Sequence, residues 1–591
     1  MTTAVPRSRK ERALDLMRAN RLEEAKALCE EAAHAENNAG AWCLLGVIHG
    51  MLHNLVEAEQ CLRTAVRLRP DYAEAHYNLG IALATNRRLD DAIAALRETV
   101  RLVPEHAEAH LRLGAALAAS NRLEAAAESF HRAIQLKPDH PAAYVYLGNI
   151  CAGLGKMKEA VDYYRRALKQ QPDDLDTINN LGNALSELDK LPEAIDCYRR
   201  ALQLQPGHFP TLQNLSIAYL DARQPEKAET CSREALALKP DHAEAQFNLG
   251  NALRGQGKFE DAIGSYREAI AIDERHADAH FNLALTCLSR GRFEQGWDEY
   301  PWQWRREGAA PRLFAPSPWD GSDLDGRDVF LHAEQGLGDE LFFLRFVPWL
   351  RRRGAGRIAY LANPKIASLL KRANVCDAVA TPVEQPSKEH LVLAVGDLPR
   401  LLDMKRVEEI PPPLGFPPPP EQIAEMQAKL RVLGSPPYLG VTWRGGTWKK
   451  RNSLYKECPL ALLAQALKGN HATVLILQRL PRDGEIEAFQ ETLGRPVHDL
   501  SALNEDLEAM LALLSLIDEY VGVSNTNMHL RAAVGKTARV LVPSPPEWRW
   551  MAEGRESPWF PGFSVYRQGY DGSWEGAFAR LNQDMGVSFR N

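Results

Sequence analysis

Nine cysteines are scattered over 591 residues (Cys29, Cys43, Cys61, Cys151, Cys197, Cys231, Cys287, Cys376, Cys458), and no two stand at C-x-x-C spacing. That excludes a zinc ribbon and a thioredoxin-like redox pair and suits a reducing compartment. No uninterrupted apolar run approaches the roughly 18 residues that a membrane-spanning helix needs. The stretch Met1 to Lys26 carries charge throughout and lacks the apolar core of a signal peptide. These absences set the expectation of a cytoplasmic protein, peripheral to a membrane at most. No Lys/Arg stripe is present, the formal net charge is -6 and the pI is near 6.3, so nucleic acid is not an expected partner. No convincing D-x-D metal site accompanies the strand-end loops described below, because Asp323-Leu-Asp325 precedes the first expected strand. Metal independence is therefore expected, and no cofactor is expected either.

What the chain does have is a period. From Ala39 to about Ala310 it repeats every 34 residues, in units beginning at Ala39, Ala73, Ala107, Pro141, Leu175, Phe209, Ala243 and Ala277. Leu-Gly recurs at the seventh and eighth positions (Leu79-Gly80, Leu113-Gly114, Leu147-Gly148, Leu181-Gly182, Leu249-Gly250), Ala at the twentieth and Pro at the thirty-second. Small residues let two antiparallel helices approach closely, and Pro ends the second helix of each unit. This is the tetratricopeptide pattern, and it predicts an α-solenoid over 39–310 behind an amino-terminal helical cap over 1–38. The sixth position is Asn in five units, at Asn78, Asn180, Asn214, Asn248 and Asn282. Stacked units would align these amides into a ladder able to hold peptide backbone, since each carries both donor and acceptor groups. The same recurrence also follows from repeat duplication alone.

Beyond Pro311 the period is lost and short apolar runs alternate with helical stretches, the mark of parallel sheets covered by helices. Expected strands are Asp328–Glu334, Arg357–Ala362, His390–Val395, Tyr438–Trp443, Thr473–Leu477, Glu519–Val523 and Ala538–Val542. Expected helices are Asp339–Arg353, Glu421–Leu433, Leu460–Leu467, Asp483–Leu493 and Leu507–Leu514. A proline-rich stretch, 407–420, separates an amino-terminal lobe (311–406) from a carboxy-terminal lobe (421–591). Two such α/β lobes resemble the GT-B architecture, which binds ligands at strand carboxyl ends.

Three loops stand at such ends. His332-Ala-Glu-Gln-Gly-Leu-Gly-Asp339 combines two turn-forming glycines with a helix start, without the third glycine of a dinucleotide fingerprint. Trp443-Arg-Gly-Gly-Thr447, with Arg451-Asn-Ser-Leu-Tyr-Lys456, offers Arg444 and Lys456 to a diphosphate, or is a solvated basic loop. Ser524-Asn-Thr-Asn-Met-His-Leu530 enters a helix directly after a strand, as a phosphate site or as simple capping by Ser524 or Asn525.

In this order behind the repeats, the loops resemble two GT-B groups: the O-linked N-acetylglucosamine transferases, and bacterial repeat proteins whose catalytic half resembles lipopolysaccharide heptosyltransferases. Leu454-Tyr455-Lys456 and Leu475-Ile-Leu-Gln-Arg479 are similar to the former's donor-phosphate region. That resemblance implies donor contacts for Lys456 and Gln478 and peptide binding for the Asn ladder. Gly338-Asp339 matches the heptosyltransferases' G-D loop, implying Asp339 as general base; the alternatives are His332, His529 or substrate-assisted chemistry. Asn525-Thr526-Asn527-Met-His529 is similar to their nucleotide-binding loop, except that Asn525 replaces Asp. Pro546-Glu-Trp548-Arg-Trp550 and Ser557-Pro-Trp559-Phe560 also belong to the bacterial pattern; the indoles either stack on sugar or base or pack structurally.

The resemblance implies an inverting, metal-independent glycosyltransferase. A sugar would pass from a nucleotide-sugar co-substrate to Ser or Thr of an acceptor protein held by the repeats, flagellin or another surface protein by analogy. The competing classes are a non-catalytic repeat adaptor with a degenerate transferase half, and a transferase acting on glycan or lipid.

Overall fold

The computed structural model describes residues 9–36, 38–309, 312–315, 318–333, 336–380, 386–387, 389–445 and 456–588. The chain divides into two compact units, Met1–Ala218 and Tyr219–Asn591. The division falls inside the helix Phe209–Asp221, so the repeat array spans both.

The first unit is an α-solenoid. Helices Arg9–Arg18 and Leu22–Glu36 precede the repeats, which begin with Ala39–Met51 and Leu55–Leu68 and continue in helix pairs. Each eighth-position glycine lies against one side chain of its partner helix. A Cβ on Gly80 would come within 2.5 Å of Leu96, on Gly148 within 2.5 Å of Tyr164, and on Gly182 within 2.5 Å of Tyr198. The twentieth-position alanines Ala58, Ala92, Ala126, Ala160 and Ala194 are fully buried. Close helix approach, not backbone freedom, therefore demands the glycines.

The second unit starts with further repeat helices, Pro225–Leu238 to Phe293–Glu299. Here His242 and His276 cap the following helices, their ring nitrogens accepting from Ala245 N and Ala279 N at 3.3 Å each. Two parallel sheets follow. β1 (Val329–His332), β2 (Ile358–Leu361), β3 (Ala378–Ala380) and β4 (Leu391–Ala394) form the order β3-β2-β1-β4. β5 (Tyr438–Val441), β6 (Thr473–Ile476), β7 (Val497–Asp499), β8 (Glu519–Val523), β9 (Arg539–Val542) and β10 (Ser564–Arg567) form the order β10-β9-β8-β5-β6-β7. Within each sheet β1 and β5 take central places, and their residues are buried throughout, as continuous apolar strands under helices on both faces must be.

The expected helix Asp339–Arg353 is broken: Leu337–Phe343 passes through a 3-10 turn, Leu344–Phe346, into Val347–Arg352. Pro348, in the first turn of the last segment, has no N–H to give to an uninterrupted helix. One hydrophobic core joins Leu288, Phe293 and Trp297 of the last repeats to Phe342, Phe343, Trp548 and Trp559 of the α/β half.

Candidate functional site

The turn after β1 starts the Leu337–Phe343 helix, and the turn after β8 starts the Thr526–Ala533 helix. They belong to different sheets, and they meet. A Cβ on Gly338 would lie 3.3 Å from Cδ2 and Nε2 of His529 and 3.8 Å from Oγ1 of Thr526. Glycine at 338 keeps this approach free of crowding against the imidazole.

Beside the meeting point four charged groups alternate in sign. Asp339 Oδ1 pairs with Arg549 Nη2. Arg549 Nη1 lies 2.5 Å from Glu547 Oε1, and Glu547 Oε2 lies 2.8 Å from Lys456 Nζ. Burial alone would raise the Glu547 carboxyl, but Lys456 and Arg549 hold it well below the usual carboxylate range, helped by the Ser524 side chain. Burial likewise works against the Arg549 cation, and Asp339 and Glu547 outweigh it. The guanidinium also sits 4.5 Å from the ring centres of both Phe342 and Trp548, a placement that fixes a desolvated cation. His529 is pushed well below its ordinary value by burial and then by Arg549 and Arg345. Its ring is therefore neutral at ordinary pH, a donor and acceptor rather than a charge.

Asp339, Lys456, Thr526 and His529 thus stand around one locus. Other expected site residues are already committed. Arg444 gives its fork to Glu485 at 2.6 and 2.9 Å, with a further bond to Leu480 O at 3.3 Å. Gln478 accepts from the backbone N–H groups of Trp443 and Arg444 and donates to the carbonyls of Arg444 and Arg479, which ties the β5 and β6 ends together. Asn525 caps its helix through Met528 N, accepts from Tyr520 Oη at 3.1 Å and donates to Thr442 Oγ1 at 2.9 Å. Asn527 is buried, with Nδ2 3.4 Å from Asn504 Oδ1. Capping and loop support occupy these four side chains. His332 ends β1 inside the amino-terminal lobe, where burial pushes it down to about 4. The indoles of Trp548, Trp550 and Trp559 are buried; Trp297 meets Trp548 and Trp559 at ring distances of 5.3 and 6.2 Å. Their role is packing. Of the basic loop, Thr447 and Arg451 to Tyr455 lie outside the described residues, as do Glu334 and Gln335.

The Asn ladder has a defined partner set. Asn180 Nδ2 reaches Asn149 Oδ1 at 3.4 Å, and Asn282 Nδ2 reaches Asn251 Oδ1 at 2.8 Å. Each acceptor is the ninth residue of the preceding unit and also accepts a tyrosine hydroxyl, from Tyr164 at 2.8 Å and Tyr266 at 2.9 Å. Asn214 bonds Asn179 Oδ1 at 3.2 Å, and Asn78 points its amide at Cys43 Sγ at 3.8 Å. Asn248 is buried, and its Nδ2 has no partner among the described residues. The amides thus stitch neighbouring units, and whatever they offer a ligand is what this stitching leaves over.

Tetratricopeptide-repeat family models match residues 52–105, 85–141, 119–174, 176–208, 214–275 and 250–296. The helix pairs are tetratricopeptide repeats. Protein FlbA of Caulobacter vibrioides is 27% identical over 311 residues, which is 49% of this chain and 51% of FlbA. The chain therefore spans about half the length of that relative. Among solved structures, YrrB, described as a tetratricopeptide protein with an unusual peptide-binding site, is 22% identical, with a TM-score of 0.29, over 32% of this chain and 96% of YrrB. The Cut9–Hcn1 assembly is 22% identical over 40% of this chain and 46% of the matched chain, with a TM-score of 0.34.

The tetratricopeptide array reaches the locus itself. Pro545, Glu547 and Trp548 line a small recess together with Arg254, Phe259 and Ser289 of the last repeats, and Ser289 O accepts from Ala552 N at 2.8 Å. Glu547 and Arg549 were not among the expected site residues, although the Pro546–Trp550 motif contains both. The available signal is an acid and a base alternating with two tryptophans, Glu547-Trp548-Arg549-Trp550. Among the described residues no group of three or more His, Cys, Asp or Glu is placed to hold a metal ion, and no helix is long and apolar enough to cross a membrane.

Proposed function

We propose that this chain is an inverting glycosyltransferase that moves a sugar from a nucleotide donor to a Ser or Thr hydroxyl of a protein bound by its repeats. The observation that carries this reading is the meeting of Gly338-Asp339 with Thr526 and His529, beside Lys456, at the carboxyl ends of strands in two parallel sheets. In the proposed step the acceptor oxygen bonds to the anomeric carbon as the bond to the diphosphate breaks, and Asp339 takes the hydroxyl proton. Lys456 and the N–H groups opening the Thr526–Ala533 helix meet the charge on the departing diphosphate. The repeats hold the acceptor and raise its concentration at the site.

Co-expression with candidate acceptors, including flagellin, followed by intact-mass measurement tests this directly. The wild type adds one or more sugar masses, and Asp339→Asn abolishes the addition while nucleotide affinity persists. Addition at near-normal rate by Asp339→Asn removes it as the base. The adaptor reading has one observation in its favour: Asp339 and Lys456 already have partners of opposite charge. Strong acceptor binding by a wild type that adds no mass would establish it.

A further inference from the structure

A cavity of about 290 Å³ is separate from the locus above. It opens at the carboxyl ends of β1 and β4, where His332 and Ala394 are register partners. Trp304, Arg305, Arg312 and Phe314, which follow the last repeat in the chain, also line it. Asp397 and Arg400, from the turn after β4, complete the charged lining.

Three guanidinium groups thus face one carboxylate. Asp397 is already held by both of its oxygens, at 3.2 and 3.1 Å from Arg312 Nη2. Arg312 is in turn stacked 5.1 Å from the Trp304 ring centre, which fixes it as part of the wall. Arg305 and Arg400 are exposed, so the cavity has a cationic mouth over a wall of aromatic rings. Guanidinium groups bind carboxylate and phosphate through paired N–H donors, aromatic faces accept the apolar faces of a sugar ring, and the volume sits at the lower end of small-ligand sites, roughly 300 Å³.

We propose that this cavity is a second ligand site, for a monosaccharide-sized anion bearing a carboxylate or a phosphate. It stands independently of the transferase reading, because none of its residues belongs to the Asp339–Lys456 locus.

Calorimetry on the full chain tests it with three probes of equal ring size: glucuronate, glucose 6-phosphate and glucose. At least one anion is expected to bind in the millimolar range or tighter, with glucose at least tenfold weaker, and the stronger anion identifies which acid the site takes. The exposed pair Arg305→Gln/Arg400→Gln should weaken that binding tenfold or more with an unchanged unfolding midpoint. Asp397→Asn, which removes the one carboxylate among the described lining residues, should strengthen it. Lys456→Ala should leave it unaltered, which separates this cavity from the diphosphate locus. Failure of both anions to bind, equal binding of glucose, or loss with Lys456→Ala and not with the arginine pair would each overturn the proposal.

Discussion

Glu547 is the residue on which the proposed donor site turns. Its carboxylate sits 2.8 Å from the Lys456 ammonium, where an incoming diphosphate must displace it or share the cation. Lys456→Ala is expected to lower nucleotide affinity tenfold or more, since a charge-assisted contact contributes about 1.5–3 kcal/mol. Glu547→Gln is expected to do the opposite and raise affinity, because it frees the cation without removing it. Calorimetry with the donor nucleotide reads both; equal affinity in wild type and Lys456→Ala would take the lysine out of the site. His332 makes a different residue-scale prediction. A histidine pushed down to about 4 in the fold takes up a proton more readily when unfolded. Its stabilising contribution is therefore complete above about pH 6.5 and is lost as pH falls towards 4. Between pH 7 and pH 5 the loss is about 2 kcal/mol. His332→Gln should remove that share of the acid sensitivity in urea unfolding of the chain; an unchanged pH dependence would show that His332 is protonated at no cost. The strand-end loops, with their resemblance to the two GT-B groups, single out Asp339, Lys456, Thr526 and His529. They did not reveal that Arg444, Gln478 and Asn525 spend their side chains on Glu485, on backbone and on Thr442 and Tyr520. Glu485 lies 41 residues from Arg444 and Thr442 lies 83 from Asn525, and no local pattern encodes such partners.

At the scale of elements, the repeat was the most legible part of the chain because its period is written in small residues. Gly148 shows why. A Cβ there would meet Tyr164 Cε1 at 2.5 Å and Cδ1 at 2.7 Å, and the ring is held in place by its hydroxyl on Asn149. A stiff, anchored ring cannot yield cheaply, so Gly148→Ala should destabilise the array by about 1–3 kcal/mol despite the better helix propensity of alanine. Gly153→Ala, in the same helix but facing open space, should not destabilise at all. Urea midpoints of the two variants decide this, and equal midpoints would mean that Tyr164 repacks freely. The α/β strands were legible where four or five apolar residues run together, as in β1, β5 and β8. β3 and β7 were not anticipated: strands of only three residues, mostly of intermediate burial, carry too little pattern. Nor was β10, an edge strand.

For the whole molecule, the open question is whether the repeats choose the acceptor or only support the α/β half. Replacing Asn180, Asn214, Asn248 and Asn282 together with Ala tests it, but the hydrogen bonds found here change what the experiment must control. Asn180, Asn214 and Asn282 each donate to an asparagine of the preceding unit. Their loss should weaken stacking by about 0.5–1.5 kcal/mol per bond and lower the unfolding midpoint. A matched variant supplies the control. Asn149→Ala with Asn251→Ala removes the acceptors of two of these bonds and keeps every sixth-position amide. If the ladder holds acceptor backbone, both variants lose stability, yet only the quadruple variant loses protein glycosylation sharply, and donor hydrolysis in the α/β half continues in each. The control should glycosylate at least as well as the wild type, because Asn180 and Asn282 then have a freed donor to offer. Should both variants glycosylate undiminished at a temperature where they remain folded, the asparagines serve stacking alone. Acceptor choice would then fall to the recess where Arg254 and Ser289 of the last repeats meet Glu547, at the border between the array and the charged locus.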